Sequence, residues 1–399
     1  MQPRPLDGVK VLDLSRVLAG PWAGQLLADY GADVIKVERP GSGDDTRSWG
    51  PPFFGDPADQ RAAYFLSANR GKRSVAIDLA SDDGAAMVRR LAAEADVLLE
   101  NYKVGQLARY GLDAASLRAA NPRLIYCSVT GYGQDGPYAQ AAGYDFAIQA
   151  TGGLMSITGE KEGTPGAEPQ KVGVAVSDLF TGVYAVTAIL AALHERTHTG
   201  RGRHIDAALL DTQVAMLGNQ ASNYFVGGSA PRRMGNAHVN IVPYQVFATK
   251  DGHIVLAVGN DGQFRRFCQL AGRPELAQDP AYATNPARVQ RRAELVPILA
   301  VWMLERTTAE WTALLEKNTV PCAPILSIDQ VFEHPQVKAR GLRIESDGVP
   351  MVATPMRLDG ERPVAARPPP RLDEDGEAIR SALARGAQRG RAGHGVVHD

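Results

Sequence analysis

The chain has 399 residues, which is too long for one ordinary core, because compact domains usually run to about 100–200 residues. Hydrophobic residues make up 44% of it and charged residues 22%, with a formal net charge of -1, as in an ordinary soluble globular protein. The 43 basic residues are balanced by 44 acidic ones, which excludes the basic excess of a nucleic-acid binder. We therefore predict two domains, with small molecules or other protein chains as partners.

The cysteines and the apolar runs bear on the compartment. Cys127, Cys268 and Cys322 lie far apart and form no C-x-x-C pattern, which argues against a disulfide framework or a zinc site. A reducing, cytoplasmic location fits this pattern best. The N-terminal sequence has no apolar signal segment, and no run of about 18 apolar residues occurs, so neither export nor a membrane span is predicted.

The first half of the chain alternates between β-rich runs and helical stretches. The predicted strands cover residues 9–14, 33–37, 74–79, 96–99, 124–130, 171–176 and 204–208. The predicted helices cover residues 20–30, 83–94, 113–120, 178–195 and a long stretch to about 224. The helix from Asp178 is apolar on nearly all faces and is therefore expected to be buried. Together these elements predict an α/β fold with a parallel, doubly wound, Rossmann-like sheet.

The pattern changes near Ile241. Hairpin-like runs at 244–249 and 254–258 flank the turn Lys250-Asp251-Gly252, and helices follow. This predicts a smaller α+β domain at 226–327, inserted into a large domain that is formed by 1–225 and 328–384. The tail 385–399 is rich in Gly and Arg without apolar periodicity, which predicts disorder.

Several common catalytic motifs are missing. Where a dinucleotide fingerprint would follow the first strand, the chain has Ser15-Arg16-Val17-Leu18-Ala19-Gly20-Pro21. The sequence also lacks a P-loop, an H-E-x-x-H and a G-x-S-x-G. Dinucleotide binding, metal hydrolysis and serine-nucleophile catalysis therefore have no support, and we predict no metal site.

Asp178 is a candidate functional carboxylate. It lies between a β-rich run and a helix that is expected to be buried. It allows two interpretations: an N-cap that accepts a backbone N–H, or a nucleophile. Both share a physical basis, because unpaired N–H groups and the helix dipole favour the anion. On either interpretation, we expect Asp178 to be ionised at neutral pH.

Other polar groups follow the predicted strands. Arg39 ends the second strand, where a phosphate could bind, although it could equally be a solvated surface residue. Glu100-Asn101-Tyr102-Lys103 ends another strand, and Arg109 follows; a ring with cations suits adenine and its phosphates, but is also common on plain surfaces. The glycines of residues 130–137 are accounted for by turn chemistry alone.

Taken together, these stretches resemble the class III CoA-transferases, the CaiB/BaiF family, from Leu6 to about Leu372. The motifs are Gly8-Val9-Lys10-Val11-Leu12-Asp13-Leu14, Leu18-Ala19-Gly20-Pro21, Gly31-Ala32-Asp33-Val34-Ile35-Lys36-Val37-Glu38, Asn69-Arg70-Gly71-Lys72-Arg73-Ser74, Glu100-Asn101-Tyr102, Gly143-Tyr144-Asp145 and Asp178-x-x-Thr181-Gly182. The segments Val37–Arg47 and Ile241–Gln245 are most similar to the subgroup that uses succinyl-CoA and glutarate or other dicarboxylates.

The resemblance implies an activity and an assembly. Asp178 becomes the nucleophile, which carries CoA from an acyl-CoA donor to a carboxylic acid through aspartyl anhydride and aspartyl-CoA thioester intermediates. CoA thioesters are substrates, and no cofactor is bound permanently. Two chains are expected to thread through each other as an interlocked homodimer.

The resemblance also implies site residues. CoA contacts are expected at Leu18, Ala19, Arg39, Ile77, Asn101, Tyr102, Lys103, Arg109, Tyr144 and Asp145. Acyl-group contacts are expected at Arg47, Trp49, Gly259 and Asn260, with Arg232 and Arg233 as further cations for a remote carboxylate. Ala80 and Ala142 stand where formyl-CoA transferases carry lysines, and Val258-Gly259-Asn260-Asp261-Gly262 replaces their polyglycine lid, which argues against oxalate as the natural acceptor.

Two other functions stay open at this point. One is an acyl-CoA racemase. Racemases of the same family carry Gly-His-Asp where this chain has Gly143-Tyr144-Asp145. A tyrosine with a pKa of about 10 is a poor base at neutral pH, which argues against this hypothesis. A CoA-binding protein without turnover is the third hypothesis, and the retained Asp178 argues against it.

Overall fold

The computed structural model describes residues 4–57 and 60–392, which divide into two compact units. The first unit runs from the described N-terminus to Leu154, includes Val172–Asn219, and resumes at Gln336. The second consists of Met155–Lys171 and Gln220–Pro335. Compared with the predicted boundaries, the second unit begins earlier and ends later, and it gains a segment of the chain that the sequence pattern assigned to the large domain.

The first unit is organised around a parallel sheet. In chain order its strands are β1 (Lys10–Asp13), β2 (Asp33–Glu38), β3 (Phe53–Phe54), β4 (Arg61–Ala62), β5 (Lys72–Ala76), β6 (Val97–Glu100), β7 (Ile125–Thr130) and β8 (His204–Ala208). Strands β3 and β4 form a separate small hairpin, and the other six lie in the order β5-β2-β1-β6-β7-β8, all parallel. This confirms the predicted doubly wound sheet, and its order reverses between β1 and β6, where such sheets bind ligands.

Helices cover both faces of this sheet. In chain order the helices up to residue 227 are α1 (Ala19–Asp29), α2 (Ala63–Ser67), α3 (Asp82–Glu94), α4 (Ala114–Ala120), α5 (Asp145–Thr151), α6 (Leu154–Ile157), α7 (Val176–Thr199), α8 (Leu209–Met216) and α9 (Gly218–Gly227), of which α6 and α9 belong mostly to the second unit. Leu27 of α1 and Ile189 of α7 pack with Val34 and Leu99 on one face, while Val88 of α3 packs on the other. Strand β6 is buried along its whole length, as expected for a strand covered on both sides.

The second unit has an antiparallel sheet. Its strands β9 (Tyr244–Ala248), β10 (His253–Ala257) and β11 (Cys322–Pro324) lie in the order β11-β10-β9, which confirms the predicted hairpin. The helices after β10 are α10 (Asp261–Leu270), α11 (Asn285–Gln290), α12 (Arg292–Met303), α13 (Thr308–Lys317), α14 (Ile328–Glu333) and α15 (Pro335–Ala339), of which α15 after its first residue belongs to the first unit. Segment 155–171 joins this unit because Glu162 N–H donates to the Arg233 carbonyl at 3.0 Å.

The chain then returns to the first unit. A hairpin of β12 (Arg343–Ser346) and β13 (Val349–Val352) precedes α16 (Gly376–Ala392). Because α16 extends to Ala392, the predicted disorder is wrong for residues 385–392; this segment is rich in alanine and arginine, which favour helix. The rest of the predicted tail, residues 393–399, lies outside the described residues.

Two other element predictions are wrong. Residues 171–176 do not form a strand, because Val172 N–H donates to the side chain of Gln149 at 2.9 Å and not to a neighbouring strand. The valines of this segment alternate with other residues, and this period of two is the pattern that predicted a strand. The long helix predicted to about 224 is two helices, α8 and α9, which are separated at Leu217.

Helix α7 is long and apolar enough, by length and composition alone, to cross a membrane. Ala185, Val186 and Ile189 nevertheless belong to the core beside the sheet. The predicted burial of this helix is therefore confirmed for the face toward the sheet, but it is wrong for Phe180 and Tyr184, which are each about half exposed.

A fully buried ion pair joins strands β1 and β5 beneath the loop that follows β1. Lys72 Nζ donates to Asp13 at 2.8 Å, to the Pro21 carbonyl at 2.8 Å and to Asn69 at 2.9 Å, and Asp13 also accepts the Ser15 N–H at 2.9 Å. Burial lowers the pKa of Lys72 to about 8. Although burial opposes it, the ammonium group of Lys72 holds the pKa of Asp13 below its usual value.

We expect Lys72→Met to lower the free energy of unfolding by about 3–5 kcal/mol, because it leaves the Asp13 carboxylate buried without its main partner. Lys10→Met is the control, since it removes an exposed pair with Glu94 and should cost only about 0–1 kcal/mol. Urea denaturation followed by circular dichroism measures both. Equal losses in the two variants would contradict a structural role for the buried pair.

Candidate functional site

Asp178 is the third residue of α7, within its first turn and not at its cap. The residue before the helix, Ala175, makes no side-chain capping hydrogen bond. The cap interpretation of Asp178 is therefore wrong, and its carboxylate remains available for other partners.

Asp145, from the neighbouring helix α5, caps α7 instead. Its Oδ1 accepts the N–H of Ser177 at 2.8 Å and that of Asp178 at 3.4 Å, while its Oδ2 accepts from Gln149 at 2.7 Å. A carboxylate here satisfies N–H groups that the first helical turn leaves unpaired. The side chain of Asp145 is thus occupied in capping α7.

The N-terminus of a second helix, α1, faces the Asp178 carboxylate. The backbone N–H of Ala19 forms a hydrogen bond that lowers the pKa of Asp178. This approach depends on Gly182, one turn after Asp178, because a Cβ there would lie 2.7 Å from the Ala19 carbonyl oxygen and 3.0 Å from Trp22. The glycine of Asp178-x-x-Thr181-Gly182 therefore lets the two helices meet.

The net effect on Asp178 is opposite to the expectation from sequence. Burial raises its pKa to about 7, the charge of Asp145 adds to the increase, and the Ala19 N–H only partly opposes them. The expectation of a fully ionised carboxylate at neutral pH is therefore wrong. A carboxylate of this pKa is more basic, and hence a stronger nucleophile, than an ordinary aspartate.

Asp178 borders a cleft of about 280 Å³ in the first unit, at the reversal point of the sheet. The loop after β1 contributes Arg16, Val17, Leu18 and Ala19, and the segment after β6 contributes Asn101, Tyr102 and Lys103. The wall opposite these includes Thr130, Gly131, Ala142, Gly143, Tyr144 and Leu209. The structure therefore brings six of the ten predicted CoA contacts to the same cleft as Asp178.

Two glycines of this wall are required by packing. A Cβ on Gly131 would lie 2.4 Å from the Cα of Gly143, and one on Gly143 would meet Gly131 equally closely. The backbone after β7 therefore lies directly against Gly143-Tyr144. The sequence pattern suggested that turn chemistry alone explains the glycines of this loop. For Gly131 this is wrong, because the close packing against Gly143 also requires a glycine.

A neighbouring cleft of about 160 Å³ holds two more of the predicted residues, Arg39 and Ile77. Both clefts are lined by Arg16, Tyr102 and Gln106. The two clefts are therefore adjacent, along the ends of β1, β2 and β6. The Arg16 guanidinium lies over the Tyr102 ring, 5.2 Å from its centre. Ala80 and Ala142, at the positions of the family's lysines, each line one of the clefts.

Three predicted residues have other placements. Arg109 is exposed and stacks on Tyr110 at 4.7 Å, outside the residues that line the clefts. Asp145 is committed to α7, as described above. Arg47 donates to both oxygens of Glu38 at 2.7 Å and lies 3.8 Å from the centre of the Phe65 ring. Because its guanidinium is already paired, the prediction that Arg47 holds a remote carboxylate needs correction.

Tyr64 is a residue that the sequence analysis missed. Its pKa is raised, first by burial and then by the charge of Asp178, so the hydroxyl lies within the electrostatic range of that carboxylate. Trp49 packs edge-to-face on Tyr64 with ring centres 5.0 Å apart, which brings this predicted acyl contact toward the same region. Tyr64 lies in the run Ala63-Tyr64-Phe65-Leu66, where a ring is the ordinary sign of a core position.

Gly259 and Asn260 lie in the second unit, at the start of α10. Asn260 caps this helix by accepting the N–H of Gln263 at 2.9 Å, and the Gly259 N–H donates to the Gln263 side chain at 2.7 Å. The loop therefore has a defined conformation of its own. Its predicted contact with an acyl group stays a prediction.

Similar proteins cover nearly the whole chain. The profile of the family described as CoA-transferase family III matches residues 6–376. A succinate–glutarate CoA-transferase of Agrobacterium fabrum is 53% identical over 93% of both chains, and the human succinyl-CoA:glutarate CoA-transferase is 46% identical over 93% of this chain and 84% of its own. The crystal structure of a CaiB/BaiF family protein from Brucella suis, 52% identical, has a TM-score of 0.85 and covers 96% of this chain and 100% of its own.

We expect the Asp178 carboxyl to titrate near pH 7 and its midpoint to fall in Asp145→Asn, because the amide keeps the cap but removes the repelling charge. The measurement is the 13Cγ chemical shift in protein labelled at aspartate, with the signal assigned by its loss in Asp178→Asn. Asp113→Asn is the control, since Asp113 also caps a helix, α4, but is not among the charges that act on Asp178. An unchanged midpoint in Asp145→Asn would contradict the electrostatic coupling.

Proposed function

The chain belongs to family III of the CoA-transferases, and on that basis we propose that it moves CoA from succinyl-CoA to a dicarboxylic acid such as glutarate, with Asp178 as the covalent carrier. The observation that carries the role of Asp178 is its carboxylate, held at the N-terminus of α1 beside the cleft, with a pKa raised to about 7. The relatives named above support the choice of acids.

The first half of the reaction charges the enzyme. An oxygen of the Asp178 carboxylate attacks the thioester carbon of succinyl-CoA, the carbon–sulfur bond breaks, and CoA leaves as a thiolate with a mixed anhydride left on the enzyme. The thiolate then attacks the Asp178 carbonyl carbon. Its bond to the bridging oxygen breaks, so succinate leaves with the oxygen that came from Asp178, and an aspartyl-CoA thioester remains.

The second half reverses these steps with another acid. The acceptor carboxylate attacks the Asp178 carbonyl, which expels the thiolate and forms a second anhydride. The thiolate attacks the acceptor's acyl carbon, and Asp178 is released as a carboxylate. The Ala19 N–H is proposed to donate to the Asp178 oxygen in the anion and in the two tetrahedral intermediates that form at the Asp178 carbon, where such a donor is most effective.

The two clefts support a route for CoA. We assign its adenine and phosphates to the cleft with Arg39, Ile77 and Tyr102, and its pantetheine arm to the larger cleft that leads to Asp178. Arg16, which lines both clefts, supplies a cation between them. Trp49 and Tyr64 are proposed to border the acyl group beside Asp178.

Assembly and compartment are also part of the proposal. Phe146, Val174, Phe180 and Tyr184, on α5 and in or just before α7, each leave about half or more of their surface exposed, which supports a protein partner on this face. We propose a homodimer, and its interlocked form follows from the resemblance alone. A reducing, cytoplasmic location is supported by three free thiols, Cys127, Cys268 and Cys322.

We expect Asp178→Asn to reduce kcat to less than about 1% of wild type, because the amide cannot form the anhydride. At about pH 8 its melting temperature should equal or exceed that of wild type. The reason is that an acid with a raised pKa contributes stability at low pH that is lost as the pH rises through its folded pKa.

Incubation with succinyl-CoA, then hydroxylamine, then peptide mass spectrometry gives the direct test. Wild type should carry a hydroxamate at Asp178, as a transferase requires and a racemase or a mere CoA-binding protein does not. Normal transfer by folded Asp178→Asn, or a label on another residue, would refute the assignment.

We expect the wild type to prefer glutarate over butyrate by on the order of 2–4 kcal/mol in kcat/KM, because butyrate leaves the cation for the remote carboxylate unpaired. Arg47→Ala should keep this preference, since Glu38 already occupies the Arg47 guanidinium. Succinyl-CoA consumption with each acceptor is followed by mass spectrometry. Equal use of both acids would exclude a dicarboxylate acceptor, and loss of the preference in Arg47→Ala would return Arg47 to the acyl site.

A further inference from the structure

The segment that joins β1 to α1 has an unfavourable backbone. Val17 has φ 72°, in the left-handed region that β-branched residues rarely adopt. Such conformations persist only where the surrounding structure imposes them, and they are frequent at functional sites. Two residues later Ala19 begins α1 and directs its N–H at Asp178.

Three side chains, one from β2 and two from the segments that follow β2 and β6, hold this segment by its backbone. Lys36 Nζ, from β2, donates to the Ser15 carbonyl at 2.8 Å. Asn101, after β6, accepts the Arg16 N–H at 2.9 Å and donates to the Arg16 carbonyl at 2.7 Å.

Asp44 supplies the third restraint, at the strained residue itself. It accepts the Val17 N–H through both carboxylate oxygens, at 3.2 and 3.3 Å. A hydrogen bond to a charged acceptor is stronger than a neutral one.

Asp44 is itself fixed from several sides. Its side chain is fully buried and pairs with Lys36 Nζ at 2.9 Å, and it accepts the Thr46 N–H at 3.0 Å and the Thr46 hydroxyl at 2.8 Å. Burial opposes its ionisation, but Lys36 and Thr46 lower the pKa of Asp44 to about 2. It therefore stays charged over the whole working range of pH.

A buried pair of this kind is weak grounds for stability, because the cost of desolvation offsets much of the attraction. Its placement has another consequence. Lys36 and Asp44 together hold Ser15 and Val17, and so fix the direction in which the chain enters α1. Asp44 borders the Arg39 cleft with only 1% of its surface exposed, and it is not among the residues that line the cleft around Asp178.

We propose that the buried Lys36–Asp44 pair is a positioning element for the nucleophile: by holding Val17 in its left-handed conformation, it aims the Ala19 N–H at Asp178. The proposal rests on the proposed function of Asp178 as the covalent carrier. Lys36 and Asp44 act through Ala19 and are positioning residues.

The main variant is Asp44→Asn, which keeps the shape but removes the charge that holds Val17. A displacement of about 1 Å at a reacting group costs up to roughly a hundredfold in rate, so kcat should fall about 10- to 100-fold with KM changed less than about threefold. The pH midpoint of kcat should move upward, because the Ala19 N–H no longer favours the Asp178 anion. Asp145 and Tyr64 are the titratable groups that face Asp178; both remain in this variant, but Tyr64 loses the charge of Asp44, which is one of the charges that raise its pKa.

Thr46→Val is a second variant for the case that Asp44→Asn does not fold. It removes one hydrogen bond to Asp44 and leaves the ion pair intact, so a smaller loss of kcat, about 3- to 10-fold, is expected. The control is Asp29→Asn, which breaks a buried pair with Arg70 at the other end of α1. It should lower the melting temperature and leave kcat and the pH midpoint unchanged.

The 13Cγ titration of Asp178 in each variant separates this inference from the proposed function, because it needs no turnover. An upward shift in Asp44→Asn, or in Thr46→Val, with none in Asp29→Asn, supports the positioning role. Folded Asp44→Asn or Thr46→Val with wild-type kcat and an unmoved Asp178 midpoint would overturn it, as would equal effects in Asp29→Asn. Wild-type protein that shows the expected titration but no Asp178-dependent transfer would overturn the proposed function instead.

Discussion

The site depends on the close meeting of two helices at Gly182. Only a residue without a side chain lets the start of α1 lie against the first turns of α7, since a Cβ would collide with the Ala19 carbonyl. That contact brings an unpaired helix-terminal N–H to the Asp178 carboxylate. The cleft, the loop after β1 and the end of β6 surround this meeting point because the order of the sheet reverses there.

Buried charges also lie around the region where α1 meets α7. The pairs Asp13–Lys72 and Lys36–Asp44 are completely enclosed, and Glu38 pairs with the nearly buried Arg47. Buried ion pairs like these contribute little net stability. They nevertheless permit few alternative arrangements, because separating the two partners leaves a charge buried away from solvent. Around the β1–α1 connection their effect is to restrict the backbone to one conformation, including the strained Val17.

The chemistry of Asp178 follows from a balance between opposing effects. Burial and the nearby Asp145 make its anion less stable, while the α1 terminus makes it more stable, and the first two prevail. A carboxylate in this state is about half ionised at neutral pH and reacts more readily than an exposed one. Membership of family III indicates that the chain transfers CoA, and this electrostatic balance supports the proposal that Asp178 carries it.

The sequence by itself determined the wound sheet and the second-unit hairpin, and it singled out Asp178 as the candidate nucleophile, because periodicity and motifs are local properties of the chain. Only the tertiary structure decided which carboxylate caps α7, how Asp178 titrates and which partner occupies Arg47, since each depends on residues far apart in sequence. Tyr64 escaped notice for the same reason, as its significance comes from proximity to Asp178 and not from its own segment. Burial and long-range charge are properties of the folded chain, and no local pattern carries them.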